Sequence, residues 1–394
     1  MNRWIGLAGL VMALAACGSS PPSIVEETVS ATTTTMAPIP APTTTTTVAP
    51  TTTTTPAPRR ATLAFTGDII PHGGVRQSAA RAAADDADTS FDFTASFVDV
   101  SPVLAAADLA ICHLETPIRL DRAPHGYPTF NAPPEMAADL AAVGYDGCSV
   151  ASNHSMDQAA TGVASTLDVL DGAGLVHAGT ARTEEEAMTV THYEAGGLAI
   201  AHLSYTYGTN GLPLPADKPW AVNIIEADSI LDEAHRARAD GAELVIASLH
   251  WGAEYRRQPT TFQTELAAVL LPDPDIDLIV GHHAHVVQPI GQIDGEWVVY
   301  GLGNFLTNQA PGCCTAASED GVIVEIDVGD TPEGVKVIDV RAVATWVDRH
   351  AGHRIVPVGA ALAAAEDGPD PRFSASLART AEVLGLFGLE IPLR

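Results

Sequence analysis

Histidines cluster in two short blocks of the sequence, and a glutamate accompanies the first block. That block contains His250 and Glu254, and the second contains His282, His283 and His285. Each block directly follows a short apolar run that is typical of a buried strand. A single histidine is usually a satisfied core or surface residue, but clustered imidazoles repel one another when charged and lose hydration when buried. We therefore predict that these blocks bind metal ions or transfer protons.

Polar side chains follow three further apolar runs. They are Asp68, Glu115 and the neighbours Asn153 and His154. Because α/β folds place their sites at the carboxyl ends of parallel strands, one crevice would collect all of these groups. Carboxylates, an amide oxygen and imidazoles suit Mn²⁺, Fe or Zn²⁺ better than an all-oxygen Mg²⁺ site or a thiolate site. Asn153 has a rival use, since asparagine is also a favoured helix cap.

Strand and helix patterns alternate through most of the chain, and consecutive strands follow. Strands are predicted at 61–66, 109–112, 148–151, 175–178, 198–203, 244–248, 277–280, 286–293, 296–300, 322–328 and 335–343. Helices are predicted at 75–84, 91–107, 133–143, 224–239 and 262–271, between Asp157 and Leu170, and in the tail from about 359. This order favours an α/β fold of two packed sheets with helices outside.

Residues 1–17 have the pattern of a targeting segment. The apolar run Ile5–Leu14 is too short to span a bilayer. The sequence Leu14-Ala15-Ala16-Cys17 resembles a bacterial lipobox, in which Cys17 is lipidated and becomes the mature N-terminus. An ordinary secretory signal with a coincidental cysteine would also export the protein.

Residues 18–60 are rich in threonine and proline, and few of them can be buried. They predict a disordered stalk that holds a folded domain, residues 61–394, away from the membrane. We expect the protein on the extracytoplasmic face of the cell membrane, held by its lipid anchor.

The formal net charge of −28 argues against a nucleic-acid partner. It would also repel a polyanionic substrate, except where a bound metal or a local arginine reverses the field. Arg256 and Arg257 follow the first histidine block and are candidates for binding a phosphate or carboxylate. An ordinary exposed pair is the alternative.

Four cysteines remain beyond Cys17, and no CxxC spacing suggests a zinc ribbon. Cys112 and Cys148 lie near the ends of two predicted strands and could pair. The adjacent Cys313 and Cys314 could form a vicinal disulfide, pair elsewhere or stay free.

Six motifs in this order resemble the calcineurin-like metallophosphoesterase superfamily and, within it, the bacterial CapA or PgsA family of poly-γ-glutamate capsule proteins. The motifs are Phe65-Thr66-Gly67-Asp68, His113-Leu114-Glu115-Thr116-Pro117, Ser152-Asn153-His154-Ser155-Met156-Asp157, His250-Trp251-Gly252-Ala253-Glu254-Tyr255, Gly281-His282-His283-Ala284-His285-Val286 and Gly301-Leu302-Gly303-Asn304-Phe305. The resemblance implies a four-layer α/β/β/α sandwich with two divalent metal ions (Mn, Fe or Zn) between the sheets.

The resemblance also implies roles for individual residues. Six residues would hold the metals. Asp68 would bind the first metal, Asn153 and His250 would bind the second, and Glu115 would bridge the two. His283 and His285 would complete the two coordination spheres. His154 would be the general acid or the transition-state stabiliser, held by Asp157.

Three positions depart from the family patterns. Ile70 stands where the superfamily has the histidine of its first motif, and His72 could substitute for it. His113 stands where the capsule family usually has asparagine, and Ala284 where it usually has proline.

Two functions follow from the resemblance. The first is metal-dependent hydrolysis of a phosphoester, or metal-dependent work on a γ-glutamyl polymer, in capsule biosynthesis. The alternative is a non-enzymatic, membrane-tethered accessory that binds or guides an anionic polymer for a capsule synthase in the membrane.

Overall fold

The computed structural model describes residues 57–366 and 368–394. The predicted signal segment with Cys17, and the predicted stalk up to residue 56, lie outside the described residues. The last residues assigned to the stalk take part in the fold. The first strand begins at Arg60, and the Arg59 guanidinium donates hydrogen bonds to Glu243 and Asp330.

The described residues form strands and helices in a largely alternating order. The strands are β1 (Arg60–Ile69), β2 (Leu109–Leu114), β3 (Gly147–Ser149), β4 (Val176–Ala178), β5 (Thr191–Ala195), β6 (Leu198–Thr206), β7 (Leu244–His250), β8 (Leu278–His282), β9 (Ile290–Ile293), β10 (Glu296–Val299), β11 (Asn304–Leu306), β12 (Asp320–Thr331), β13 (Gly334–Asp348) and β14 (Arg354–Pro357). The helices are α1 (Gly73–Ala82), α2 (Thr94–Phe97), α3 (Ser101–Leu104), α4 (Glu135–Ala142), α5 (Ala159–Ala173), α6 (Glu184–Ala187), α7 (Ala227–Ala239), α8 (Thr261–Leu270), α9 (Val358–Ala363) and α10 (Pro371–Leu384).

The strands make two sheets. The first has the order β14-β13-β12-β1-β2-β3-β4, and β11 also pairs with β1. The second has the order β5-β6-β7-β8-β10-β9. In the first sheet the adjacent strands β1, β2, β3 and β4 run parallel, and in the second β6, β7 and β8 do the same. The carboxyl ends of these parallel strands carry the motifs found in the sequence.

Alternate residues of the central strands face opposite sides of each sheet, and both sides are buried. In β1, Leu63 packs against the second sheet, whereas Ala64 faces the cluster formed by helices α1 to α5. In β7, Ile246 faces the first sheet, whereas Val245 packs against α7 and α8. Apolar burial on both faces is typical of parallel strands with covering layers. The predicted four-layer α/β/β/α sandwich is confirmed.

The helix predicted over 91–107 is wrong, because two short helices, α2 and α3, occupy that stretch. Pro102 stands in the first turn of α3, where the missing N–H is tolerated. A proline inside one continuous helix would instead clash with the preceding turn. Within residues 57–366 and 368–394, no helix has both the length and the apolar character needed to cross a bilayer.

The cysteine alternatives are resolved by strand register. Cys112 of β2 lies opposite Cys148 of β3, with 4.4 Å between their Cα atoms, and the two form a disulfide. Cys313 and Cys314 form no disulfide with any cysteine in the described part of the chain.

Candidate metal centre

Strand register brings polar residues of the first sheet into one row. Asp68 near the end of β1 pairs with His113 of β2, which pairs in turn with Ser149 of β3. Glu115 follows β2 directly. Gly67 allows β1 to pack closely against the segment that contains Gly303, because a Cβ at residue 67 would lie 2.1 Å from the carbonyl oxygen of Gly303.

The second sheet supplies a matching row. Thr206 of β6 pairs with His250 of β7, which pairs with His282 of β8. His283 and His285 follow β8 and have left-handed backbones, with φ of 85° and 55°. Residues held in this region typically concentrate at functional sites, where the surrounding structure keeps them in place.

Four buried side chains converge between the sheets: Asp68, His113, Glu115 and His250. Each offers a potential ligand atom, and these atoms lie within 4.8 Å of one another. Burial opposes ionisation of Asp68, but the neighbouring imidazoles of His282, at 3.5 Å, and His285, at 2.9 Å, outweigh it and hold the pKa of Asp68 well below its usual range. Burial raises the pKa of Glu115 to about 7.

Glu254, His283 and His285 form a second group whose ligand atoms also lie within 4.8 Å of one another. His285 Nδ1 lies 2.9 Å from Asp68 Oδ2 and 3.1 Å from Asn304 Oδ1. Both partners are acceptors, so Nδ1 is protonated, and Nε2 faces Glu115 Oε1 at 3.9 Å. Burial lowers the pKa of His285, but Glu115 and Asp68 outweigh burial and raise it to about 9.

The donors present fit a divalent metal centre. Both carboxylate oxygens of Glu115 and Nδ1 of His283 are buried and have no hydrogen-bond partner. Leaving such groups unpartnered in a low-dielectric interior is unfavourable, and a cation would satisfy them. The surrounding donors are carboxylate oxygens and imidazole nitrogens, a set that suits Mn²⁺, Fe and Zn²⁺.

Asn153, His154 and Asp157 lie in the turn between β3 and α5 and face the same space. Asn153 Oδ1 lies 3.0 Å from His250 Nε2, so this side chain faces the site rather than capping α5. His154 Nδ1 lies 2.7 Å from Asp157 Oδ2, and His154 Nε2 lies 4.0 Å from Glu115 Oε1. Asp157 therefore accepts from Nδ1–H and turns Nε2 toward the centre.

A cavity of about 500 Å³ opens onto these groups. Its lining residues are Ile70, His72, Glu115, Tyr127, Phe130, His154, Glu254, Tyr255, His285, Gln309, Cys313 and Cys314. No lysine or arginine is found among these described lining residues. Positive charge in this cavity must therefore come from histidine or from a bound cation.

Three predicted residues take other positions. Arg257 donates to the backbone carbonyl of Arg379 and pairs with Glu382, so its guanidinium is engaged at α10. Arg256 is exposed and does not line the cavity. His72 lines the cavity wall but does not belong to either group of ligand atoms. A substrate-binding role for Arg256 stays a prediction, whereas the contacts of Arg257 disfavour one.

Three residues of the site, His113, His282 and Tyr207, were not assigned a role from the sequence. His113 and His282 lie inside recognised motifs, and their rings stack with centroids 4.0 Å apart. Tyr207 follows β6, and its ring centroid lies 4.6 Å from that of His283, with the two rings tilted by 42°. Its position after a strand next to β7 was the signal that could have identified it.

The fold and the buried donors define a two-sheet α/β protein with a candidate metal centre at the carboxyl ends of its parallel strands. Residues 62–309 match the family model described as bacterial capsule synthesis protein PGA_cap, and this is more than half of the chain. The chain belongs to that family. The resemblance drawn from the six sequence motifs is confirmed.

Curated relatives agree with this assignment. The capsule biosynthesis protein CapA of Bacillus anthracis is 25% identical over 71% of this chain and 66% of its own length. The PGA biosynthesis protein CapA of Bacillus subtilis (strain 168) is 27% identical over 62% of this chain and 63% of its own length. A probable polyglutamine synthesis accessory protein of Mycobacterium tuberculosis is 27% identical over 50% of this chain and 55% of its own length. The chain thus spans less than two thirds of each of these relatives.

Solved structures resemble the chain more distantly. The calcineurin-like phosphoesterase YfkN from Bacillus subtilis aligns with 83% of this chain and 98% of that chain, at 13% identity and a TM-score of 0.44. The NAD nucleotidase NadN of Haemophilus influenzae aligns with 83% of this chain and 67% of that chain, at 12% identity and a TM-score of 0.46. At this level of similarity they carry no argument about activity.

Proposed function

We propose that this protein is a metal-dependent hydrolase of the CapA type, which cleaves a phosphoester in the course of poly-γ-glutamate capsule biosynthesis. The observation that carries the proposal is Glu115. Its two buried oxygens have no hydrogen-bond partner among the described residues, and they lie among nitrogen and oxygen donors that face an open cavity. Such an arrangement is unfavourable unless cations bind there.

Six residues of the chain would hold two divalent ions (Mn, Fe or Zn), namely Asp68, Glu115, Asn153, His250, His283 and His285. Bound there, the ions would supply Lewis acidity and activate water for in-line attack on phosphorus. The described residues that line the cavity include no lysine or arginine, so the ions would also attract the anionic substrate.

His154 has the geometry of a proton-transfer residue. Asp157 holds its Nδ1–H, which orients the ring and leaves Nε2 at the cavity wall. Donation of a proton from Nε2 to the leaving oxygen of the ester would stabilise that oxygen as the bond to phosphorus breaks. The hydrogen bond between His154 and Asp157 needs no metal ion. Proton transfer by this pair can therefore be tested separately from metal binding.

The predicted cellular location is part of the proposal. A lipidated Cys17 and the stalk of residues 18–60 would hold the domain at the extracytoplasmic face of the membrane. There it could act beside the membrane proteins of a capsule synthase. The names of the CapA relatives, which refer to capsule and PGA biosynthesis, support this context.

Elemental analysis of the purified protein together with a chromogenic phosphoester assay tests the proposal. We expect about two equivalents of Mn, Fe or Zn per chain. Activity should be lost with EDTA and in His250→Ala, and restored by metal in the native protein only. The proposal would be overturned if the protein retained no metal after incubation with excess Mn, Fe or Zn. A fully active His250→Ala variant would overturn it as well.

One observation favours a second candidate, a non-enzymatic accessory that binds or guides an anionic polymer. Ile70 replaces the first-motif histidine expected from the resemblance, and His72 lies outside both groups of ligand atoms. The Mycobacterium tuberculosis relative is itself named an accessory protein. This candidate predicts metal-dependent binding of poly-γ-glutamate without turnover of any ester.

A further inference from the structure

A chain of buried hydrogen bonds runs from His250 into the first sheet. His250 Nδ1 lies 2.9 Å from His113 Nε2, and His113 Nδ1 lies 2.8 Å from Ser149 Oγ. The Ser149 hydroxyl donates to the carbonyl oxygen of Cys112 at 3.3 Å. His113 and Ser149 are fully buried, and His250 is nearly so, at 1% exposure.

Both ring nitrogens of His113 are engaged by protein atoms, so neither is free to bind an ion. Its ring is also held between two others, with centroid separations of 4.0 Å to His282 and 5.0 Å to His250. Full burial beside two other imidazole rings disfavours the charged form of His113, so the ring is neutral and has one N–H. His113 thus contacts a predicted ligand without being one.

The direction of this chain determines which atom of His250 is free. A backbone carbonyl only accepts, so Ser149 donates to Cys112 and accepts from His113 Nδ1–H. Neutral His113 must then accept at Nε2, from His250 Nδ1–H. In this state His250 Nε2 has no proton and faces Asn153 Oδ1 at 3.0 Å. Two lone pairs face each other there, an arrangement that suits a cation.

The same atoms support the opposite direction without gain or loss of a proton. If His250 Nε2–H donates to Asn153, then His113 Nε2–H donates to His250, and Ser149 donates to His113 Nδ1. This reversed state satisfies Asn153 Oδ1 with no cation present. The two states differ in the tautomers of both histidines and in the rotation of one hydroxyl.

We propose that His113 is a positioning residue of the metal centre, and that Ser149, through His113, selects the His250 tautomer whose Nε2 binds the ion. Occupation of the centre reverses the hydrogen-bond chain as far as the Cys112 carbonyl. This inference rests on the proposed function because it requires an ion at His250. A metal ligand whose second nitrogen is fixed by a partner is a general feature of metal sites.

Imidazole ¹⁵N spectra of the ¹⁵N-histidine-labelled protein test the reversal without any variant in the site. We expect the protonated nitrogen of His113 to be Nε2 in the metal-free protein and Nδ1 in the Zn²⁺-loaded protein. An unchanged His113 tautomer on full loading would overturn the inference and leave the proposed function intact. A failure to bind Zn²⁺ at all would instead overturn both.

Zn²⁺ affinity measured by competition with a chelator tests the positioning role. Ser149→Ala and His113→Leu should weaken binding by about 10–100-fold with unchanged stoichiometry, whereas His113→Gln, which keeps an acceptor, should retain most of the affinity. The Co²⁺ spectrum of Ser149→Ala should keep its shape, because no ligand is lost.

Ser248→Ala is the matched control. Ser248 is a buried serine that contacts a buried histidine, His202 Nε2, at 2.8 Å, and neither belongs to the chain described here. We expect its Zn²⁺ affinity to be unchanged. Equal losses in Ser149→Ala and Ser248→Ala would show a general packing effect and contradict the inference, as would loss of a whole equivalent in His113→Gln.

Discussion

Glu115 shows how a single residue can serve a site at the expense of the fold. Its side chain is almost fully buried, at 1% exposure for the residue, and both oxygens lack a partner. Burial raises its pKa to about 7, so the metal-free protein must ionise an unfavourably placed carboxyl group at neutral pH. A carboxylate retained under these conditions is better explained by a ligand than by stability.

Glu115→Gln should stabilise the metal-free protein at high pH. Between about pH 4.5 and 7 the folded state holds a proton on Glu115 that the unfolded state has released, so stability falls as pH rises through this window. Glutamine does not ionise, so the Glu115→Gln variant should not lose this stability as the pH rises. In EDTA we expect a gain of about 3 kcal/mol at pH 8 and of less than about 1 kcal/mol at pH 5, measured by thermal unfolding. Glu254→Gln, at an exposed position, is the control, and a gain of equal size at both pH values would contradict the account.

Asp157→Asn should separate proton transfer from metal binding. The substitution removes the charge that orients His154 Nδ1–H at 2.7 Å, while every predicted metal ligand stays in place. We expect phosphoester turnover to fall about 10–100-fold with unchanged metal content. Asp157 also accepts from the backbone N–H of Phe130, so the thermal midpoint must be checked. Loss of metal in this variant would assign Asp157 a structural role instead.

At the scale of elements, the parallel strands were predictable because their apolar runs are short and end in glycine or polar residues. The candidate site was predictable for the same reason, since Asp68, Glu115 and His250 lie at strand ends. Short or half-exposed strands were missed. β5 (Thr191–Ala195) is an edge strand with exposed residues, and β11 (Asn304–Leu306) has only three residues and depends on pairing with β1.

The directions in which side chains point could not be predicted from the sequence either. Arg257 is adjacent in sequence to the histidine motif, yet it reaches α10, an element about 120 residues later. The contact between His113 and His250 joins the two sheets, and no local pattern determines such an approach. These contacts depend on how the sheets pack, which a sequence motif does not encode.

The Cys112–Cys148 disulfide joins β2 and β3, the strands that precede Glu115 and Asn153. It closes a loop with a sequence separation of 36 residues. By loop-closure entropy it should stabilise the fold by about 3–4 kcal/mol. We expect Cys112→Ser to lower the midpoint of denaturant unfolding and to weaken metal binding, since it loosens two ligand-bearing strands. Cys313→Ser, at an exposed cysteine, should leave the unfolding midpoint unchanged.

At the scale of the whole molecule, charge opposes the proposed substrate. The net charge is −28, and the described residues that line the cavity include no lysine or arginine. An anion would therefore approach against a repulsive field, and the proposed metal ions would attract it only at short range. This differs from enzymes that steer anions with basic clefts, whose association slows as salt increases.

Ionic strength should accordingly raise kcat/KM of the metal-loaded protein for anionic esters. Salt shortens the Debye length from about 30 Å at 0.01 M to about 8 Å at 0.15 M, so it screens the distant surface more than the close ions. We expect kcat/KM for a dianionic phosphomonoester to increase severalfold over this range, and that for a monoanionic phosphodiester to increase less. A decrease with salt would reveal a local positive field, and Arg256→Ala, which removes the nearest exposed arginine beside the histidine motif, would then identify its source.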